Sequence, residues 1–145
     1  MSSDRSPVAW HLWVVGVFAL LWHGMGSFDY TMTQTQGDAW LAHMEPSALQ
    51  MAYFHGMPAW TDSVWAIGVW GGLLGAVLLL ARRKWAMPVF VVSLLGWAAG
   101  AVYSFGLSNG MEAMGPWWPM LIAKGGICAF FVWYVWMAGR KGVLR

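Results

Sequence analysis

The chain has 145 residues, is 59% hydrophobic and 10% charged, and carries 13 Trp with a formal net charge of +2. Soluble domains carry about 25% charged residues, so this composition excludes an ordinary water-soluble fold and points to a protein that lives in lipid. The length accommodates one helical domain and no separate soluble one.

Four apolar stretches approach the ~20 residues needed to cross ~30 Å of hydrocarbon. The first, 10–28, follows a short segment containing Arg5 and contains His11 and His23. It has the flavour of a signal peptide, but no small-residue cleavage pattern follows and the apolar run exceeds an h-region, so a retained helix is expected. The outer loop, 29–59, is the one sizeable extramembrane segment. Within it, Leu49, Ala52, Tyr53 and Phe54 fall at helical spacing after Pro46 and Ser47 and before Gly56 and Pro58, which predicts a short helix lying in the interface. That helix would act as a lid or as a simple tether.

The second stretch, 60–81, carries Gly68, Gly71, Gly72 and Gly75, two overlapping small-xxx-small pairs that let another helix approach closely. Arg82, Arg83 and Lys84 form a tight connection to the third stretch, 87–107, which repeats the device with Gly96 and Gly100. The glycines pack helices within one bundle or serve a homodimer; the tight connection makes spans two and three antiparallel neighbours, so at least one glycine seam is expected between them. Pro88 suits the first turn of its helix, where a missing N–H costs nothing. The fourth stretch, 117–138, contains Lys124 and the single cysteine, Cys128, which allows no internal disulfide. The fold class expected is all-α, an integral membrane four-helix bundle in one domain, 1–145.

Arg5, Arg82, Arg83, Lys84, Arg140, Lys141 and Arg145 fall on one side of the spans, whereas Asp29, Asp38, Glu45, Asp62 and Glu112 fall on the other, with Asp4 the exception. The excess of Lys and Arg marks the cytoplasmic side, so both termini are expected inside a bacterial inner membrane. Trp10, Trp13, Trp60, Trp85, Trp117, Trp118, Trp133 and Trp136 sit near span ends, as interfacial anchors do. Trp22, Trp65, Trp70 and Trp97 lie deeper, where aromatic rings either pack on helices or wall a ligand.

The chemistry-bearing feature is Lys124, about 10 Å into its span if that span begins near Trp117, at ~1.5 Å per residue. An ammonium in hydrocarbon is costly and marks a functional-site hypothesis when a partner exists. His23 and Tyr103 fall near the same layer by the same counting, with Asp29 and Asp62 at its upper edge. Asp62 is the preferred partner and Asp29 the second, because a carboxylate within ~4–6 Å holds an ammonium charged. The arrangement reads as a structural ion pair, as a solute or proton site open to the periplasm, or as plain snorkelling. The candidate ligand-binding set is Lys124, Asp62, Asp29, His23, Tyr103 and Trp65.

Other chemistries are argued down. Bis-histidine haem ligation needs two facing histidines at one depth, whereas His11 and His23 lie toward opposite faces, so no cofactor is expected. His43 and His55, with Asp38 and Glu45, match no recognised metal spacing, and no metal is expected. No catalytic triad, paired carboxylate or phosphate loop stands out, so no enzyme is expected. The basic cluster is short, which suits anionic lipid better than nucleic acid.

The segments Phe28-Asp-Tyr-Thr-Met-Thr-Gln34, Pro58-Ala-Trp60, Trp65-Ala-Ile-Gly-Val-Trp-Gly-Gly72, Leu78-Leu-Leu-Ala-Arg-Arg-Lys-Trp-Ala-Met-Pro-Val-Phe90 and Leu107-Ser-Asn-Gly110 resemble a group of small four-helix bacterial inner-membrane proteins that often carry the label "sugar transporter". The resemblance implies the fold and the membrane, and it carries no site residues with it. Two functional expectations follow. One is transport or binding of a small, sugar-like solute near the outer face, with a homodimer required for transport. The other is a non-catalytic accessory or assembly subunit of a larger membrane complex.

Overall fold

The structure, a computed structural model, describes residues 10–144. Asp4, Arg5 and Arg145, on which part of the charge-sidedness expectation rests, lie outside the described residues, as does the side chain of Trp117. The described chain is all-α: α1 Trp10–Gln36, the single turn α2 Asp38–Leu41, α3 Ala48–His55, α4 Ala59–Leu80, α5 Ala86–Val102, α6 Gly110–Met114 and α7 Trp118–Arg140. A wide π-type turn, Tyr103–Leu107, continues α5. Four of these helices, α1, α4, α5 with its continuation, and α7, are long and apolar enough to cross a membrane, so the chain is built as a multi-pass membrane protein.

The helices form a ring in the order α1, α4, α5, α7. The ring closes through side chains: the Tyr134 hydroxyl and His11 Nδ1 share a hydrogen bond at 2.5 Å, and the Phe18 and Phe131 rings lie 5.8 Å apart. Arg82, Arg83, Lys84, Arg140 and Lys141 gather at one end of the bundle, the basic end. The long connection between α1 and α4 caps the other, the loop end.

Glycines set the distances between helices, each facing a different neighbour. A Cβ on Gly71 would touch Ser93, one on Gly75 would touch the Phe90 ring at 3.0 Å, and one on Gly96 would meet the Gly68 backbone nitrogen at 3.0 Å. This is the expected seam between α4 and α5, and Ser93 Oγ fastens it by donating to Gly68 O at 2.5 Å. Gly72 faces the other way and makes room for the His23 ring of α1. Gly100 has open space around it and takes no part.

The apolar core lies toward the basic end. Leu12, Leu79, Phe90, Phe131 and Val135 are almost wholly buried there, and Val143 and Leu144 tuck beneath them. The tail is held by Arg82, whose Nε donates to Val143 O at 3.1 Å. Arg82 itself has φ 60 and closes α4, with Arg83 N–H donating to Leu78 O and Arg82 N–H to Leu79 O, the paired bonds of a left-handed helix stop.

Two boundaries differ from the hydropathy expectation. The first helix does not end at 28 but runs to Gln36. Thr31 and Thr35 donate their hydroxyls to the carbonyls of Ser27 and Thr31, both at 2.8 Å, so a polar stretch stays helical until Gly37 turns at φ 56. Hydropathy measures lipid contact rather than helix length. The loop helix, by contrast, forms where expected: Ser47 caps α3 by accepting from Gln50 N–H at 3.1 Å, and Gln50 Oε1 accepts from Ser47 N–H at 2.9 Å.

Candidate functional site

The six residues singled out from the sequence do not converge. Lys124 is exposed on α7 and Asp62 is exposed in the first turn of α4. Among the described residues, the one ion pair within 4.0 Å is His55 with Asp38, so the expected bridge from Lys124 to Asp62 or Asp29 is not formed within the chain. In the ring, α7 stands beside α5 and α1, with α4 and its Asp62 across the bundle. The stacking and hydrogen-bonded contacts of α7 with α1, through Tyr134 and Phe131, lie in the basic half and at the middle of the bundle, and none is made level with Lys124.

Asp29 is half-buried on α1 and accepts a hydrogen bond from Trp40 Nε1 at 2.8 Å. It stands at one end of an open groove of about 430 Å³ whose other lining is Leu20, Leu21, Gly24, Met25, Phe28 and Trp40. Trp65 packs edge-on against Tyr30 at 5.0 Å, a contact between α4 and α1. His23 is not in the polar layer near the loop end. The extension of α1 leaves it 13 residues from the helix terminus, roughly 20 Å down at ~1.5 Å per residue. It is 4% exposed, lies 5.5 Å from the Phe131 ring and 6.1 Å from the Phe90 ring, and its Nε2 is buried with no hydrogen-bond partner.

Tyr103 alone of the six lies in a polar cluster, and the rest of that cluster was not anticipated. At the loop end, α3 lies over the π-type turn. The Tyr53 hydroxyl of α3 is 2.9 Å from Ser108 Oγ and 3.4 Å from Ser104 Oγ, while Ser108 Oγ donates to Tyr103 O at 2.7 Å. Because the single Ser108 proton goes to that carbonyl, Tyr53 is the donor to Ser108. In the wide turn carbonyls pair five residues on rather than four, which sets Ser108 over the Tyr103 carbonyl, and such turns are frequent at functional sites.

Aromatic rings wall the cluster. Trp60 meets Tyr103 edge-on at 5.5 Å, and the Tyr53 ring lies 6.2 Å from Tyr103. Gly110 must be glycine, since a Cβ there would lie 2.8 Å from the Tyr53 hydroxyl oxygen and 2.5 Å from Ser104 O. The segment Leu107-Ser-Asn-Gly110 hints at this turn in the sequence. Nothing there brings Tyr53, 55 residues before Ser108, to it.

A second latch lies outside. His55 Nε2 sits 2.8 Å and 3.0 Å from the two carboxylate oxygens of Asp38, tying the end of α3 to the start of α2. His43 Nδ1 is 3.1 Å from Trp40 O. Among the described residues, no three His, Cys, Asp or Glu side chains converge as a metal site would require.

Comparisons with family models, with curated proteins and with solved structures find no match for this chain.

Proposed function

We propose that this protein binds a small polyhydroxylated, sugar-like solute beneath α3, at the loop end of the bundle, and does so without chemical conversion. The observation that carries the reading is the hydroxyl relay from Tyr53 through Ser108 to the Tyr103 carbonyl, walled by the Trp60 and Tyr103 rings. Hydroxyl donors and acceptors beside aromatic faces are the two elements a sugar needs, one for its hydroxyls and one for its apolar ring faces. The Tyr53 hydroxyl occupies the place of a solute hydroxyl when α3 is down. Lifting α3 frees Ser104 and Ser108 for the solute.

By the positive-inside rule, Arg82, Arg83, Lys84, Arg140 and Lys141 face the cytoplasm and the lid faces the periplasm of a bacterial inner membrane. The resemblance to small four-helix inner-membrane proteins labelled as sugar transporters agrees with that setting. Anionic lipid suits the basic end as its other partner. The middle of the single bundle is filled by Phe90, Phe131 and His23, so the reading is of binding at the outer face, with passage across the membrane left to a larger assembly.

Titrating intrinsic tryptophan fluorescence with a panel of hexoses, pentoses and polyols tests this. At least one member should quench Trp60 with saturation. Tyr53→Phe should then tighten Kd about fivefold, because it removes a competing bond of ~1 kcal/mol, whereas Ser108→Ala should weaken it. A panel without effect at any concentration rejects the reading.

A second reading, an accessory subunit of a larger complex, is favoured by the exposure of Lys124 on α7. Purification from the native membrane at endogenous level separates the two. A fixed stoichiometric companion protein supports the accessory role.

A further inference from the structure

Two charged groups form no ion pair among the described residues: an exposed ammonium inside a membrane-spanning helix, and, on another helix, a half-buried carboxylate beside an apolar groove, held on one oxygen by Trp40. Their depths agree. Ser27 Oγ donates to Val69 O at 3.3 Å, which places Asp29, two residues farther toward the loop end, level with α4 near Ile67. On the other side, Trp97 Nε1 donates to Leu121 O at 3.0 Å, and the Trp97 backbone nitrogen lies 3.8 Å from the Cβ position of Gly68. Lys124 therefore stands level with Gly68. The two charges lie within about one helical turn, ~5.4 Å, of each other in depth, roughly 12–14 Å below the loop end of α4 at Ala59 by the rise per residue.

We infer that a second copy of this chain covers this face, with Lys124 of each protomer lying in the groove of the other and its ammonium on Asp29. A two-fold axis along the membrane normal preserves depth, so a pair of groups at equal depth on two different helices is self-complementary under it, and the interface makes the contact twice. The groove suits the lysine stem: Leu20, Leu21, Met25 and Phe28 offer apolar walls for four methylenes, and Gly24, with open space over its Cβ position, leaves the floor bare. Trp40 already orients the carboxylate by donating to one oxygen, which leaves the other to receive the ammonium. On α7, Ala123 and Gly126 flank Lys124 as exposed small residues, so the partner helix can come close. The charge pattern also selects the occupant. A cation and an anion on one chain, both below the loop end and inside the apolar spans, ask for a partner presenting both charges at that depth, which a second copy does, whereas an aminophospholipid carries its phosphate and ammonium at the headgroup level.

The inference does not rest on solute binding. A strict monomer that still responds to hexoses would remove this proposal and leave that one standing. The test has two parts. In vesicles of phosphatidylethanolamine and phosphatidylglycerol, single-molecule subunit counting should find pairs of the 16.1 kDa chain. Lys124→Met and Asp29→Asn should each weaken pairing at least tenfold, and the exchanged pair Lys124→Asp with Asp29→Lys should restore most of it. For the case in which a variant fails to fold, differently tagged Asp29→Cys and Lys124→Cys chains, both with Cys128→Ala, are co-expressed and treated in the membrane with a short bis-thiosulfonate linker. A mixed-tag product from the two together, and none from either alone, supports the contact. Monomers at every protein-to-lipid ratio, pairing unchanged by Lys124→Met, or an aminophospholipid retained by a single chain through Asp29 would each overturn it.

Discussion

Phe131→Ala is expected to lower the stability of the folded bundle by about 2–3 kcal/mol, from a cavity of roughly 100 Å³ at ~24 cal/mol per Å³. Phe131 has no exposed surface and touches rings from three other helical positions: Phe18 at 5.8 Å, His23 at 5.5 Å and Phe90 at 5.6 Å. In water the same truncation would carry a transfer term as well. In lipid that term is small, because acyl chains are as apolar as the side chain removed, and what is lost is packing. Reversible unfolding in mixed micelles measures the difference. A change below ~0.5 kcal/mol, well under the usual range for such a truncation, would mean that α1, α5 and α7 do not meet at this ring.

Gly72→Ala comes next, and its effect depends on one neighbour. The Cβ added there would fall on the His23 imidazole, which has Phe90 and Phe131 behind it and no room to retreat. Overpacking of this kind costs about 1–3 kcal/mol. With His23→Ala already in place the penalty should nearly vanish, leaving a coupling between the two sites of at least ~1 kcal/mol. Equal penalties in the two backgrounds would show that α1 and α4 are not in this register. Neither site lies near the loop-end cluster, so solute response should survive in whatever fraction folds.

Much of this architecture is legible in the residues, for reasons that also mark where legibility stops. The span 60–81 corresponds closely to Ala59–Leu80 because its apolar run is bounded sharply by Pro58 and by Arg82. The loop helix is readable from Ser47 and from Gly56, whose effects are local. Glycine spacing on α4 points to close approach but not to the neighbour, and in the structure Gly72 turns to α1 while Gly75 turns to α5. Depth counted from the end of an apolar run misplaces His23, since Thr31 and Thr35 carry the helix onward through polar residues.

The partner of Lys124 depends on helix order and tilt, which no local pattern encodes. The Tyr53 to Ser108 bond likewise links residues that only the finished bundle brings together. Tyr103 is named from depth alone and does lie in the cluster. Its carbonyl, rather than its phenol, accepts the hydrogen bond from Ser108.

Polar chemistry lies under α3 and a sealed, aromatic middle below it, and the native cysteine offers the sharpest probe. Cys128 is buried in α7 three residues from Phe131, whereas Ser108 lies under the lid. Ser108→Cys protein in membrane vesicles should react with a membrane-impermeant maleimide at least tenfold faster when Tyr53→Gly removes the latch, while Cys128 stays unmodified in both. Modification of Cys128 at a rate similar to that of position 108 would show water reaching the middle of the bundle, and would contradict the sealed interior on which the binding-site assignment depends.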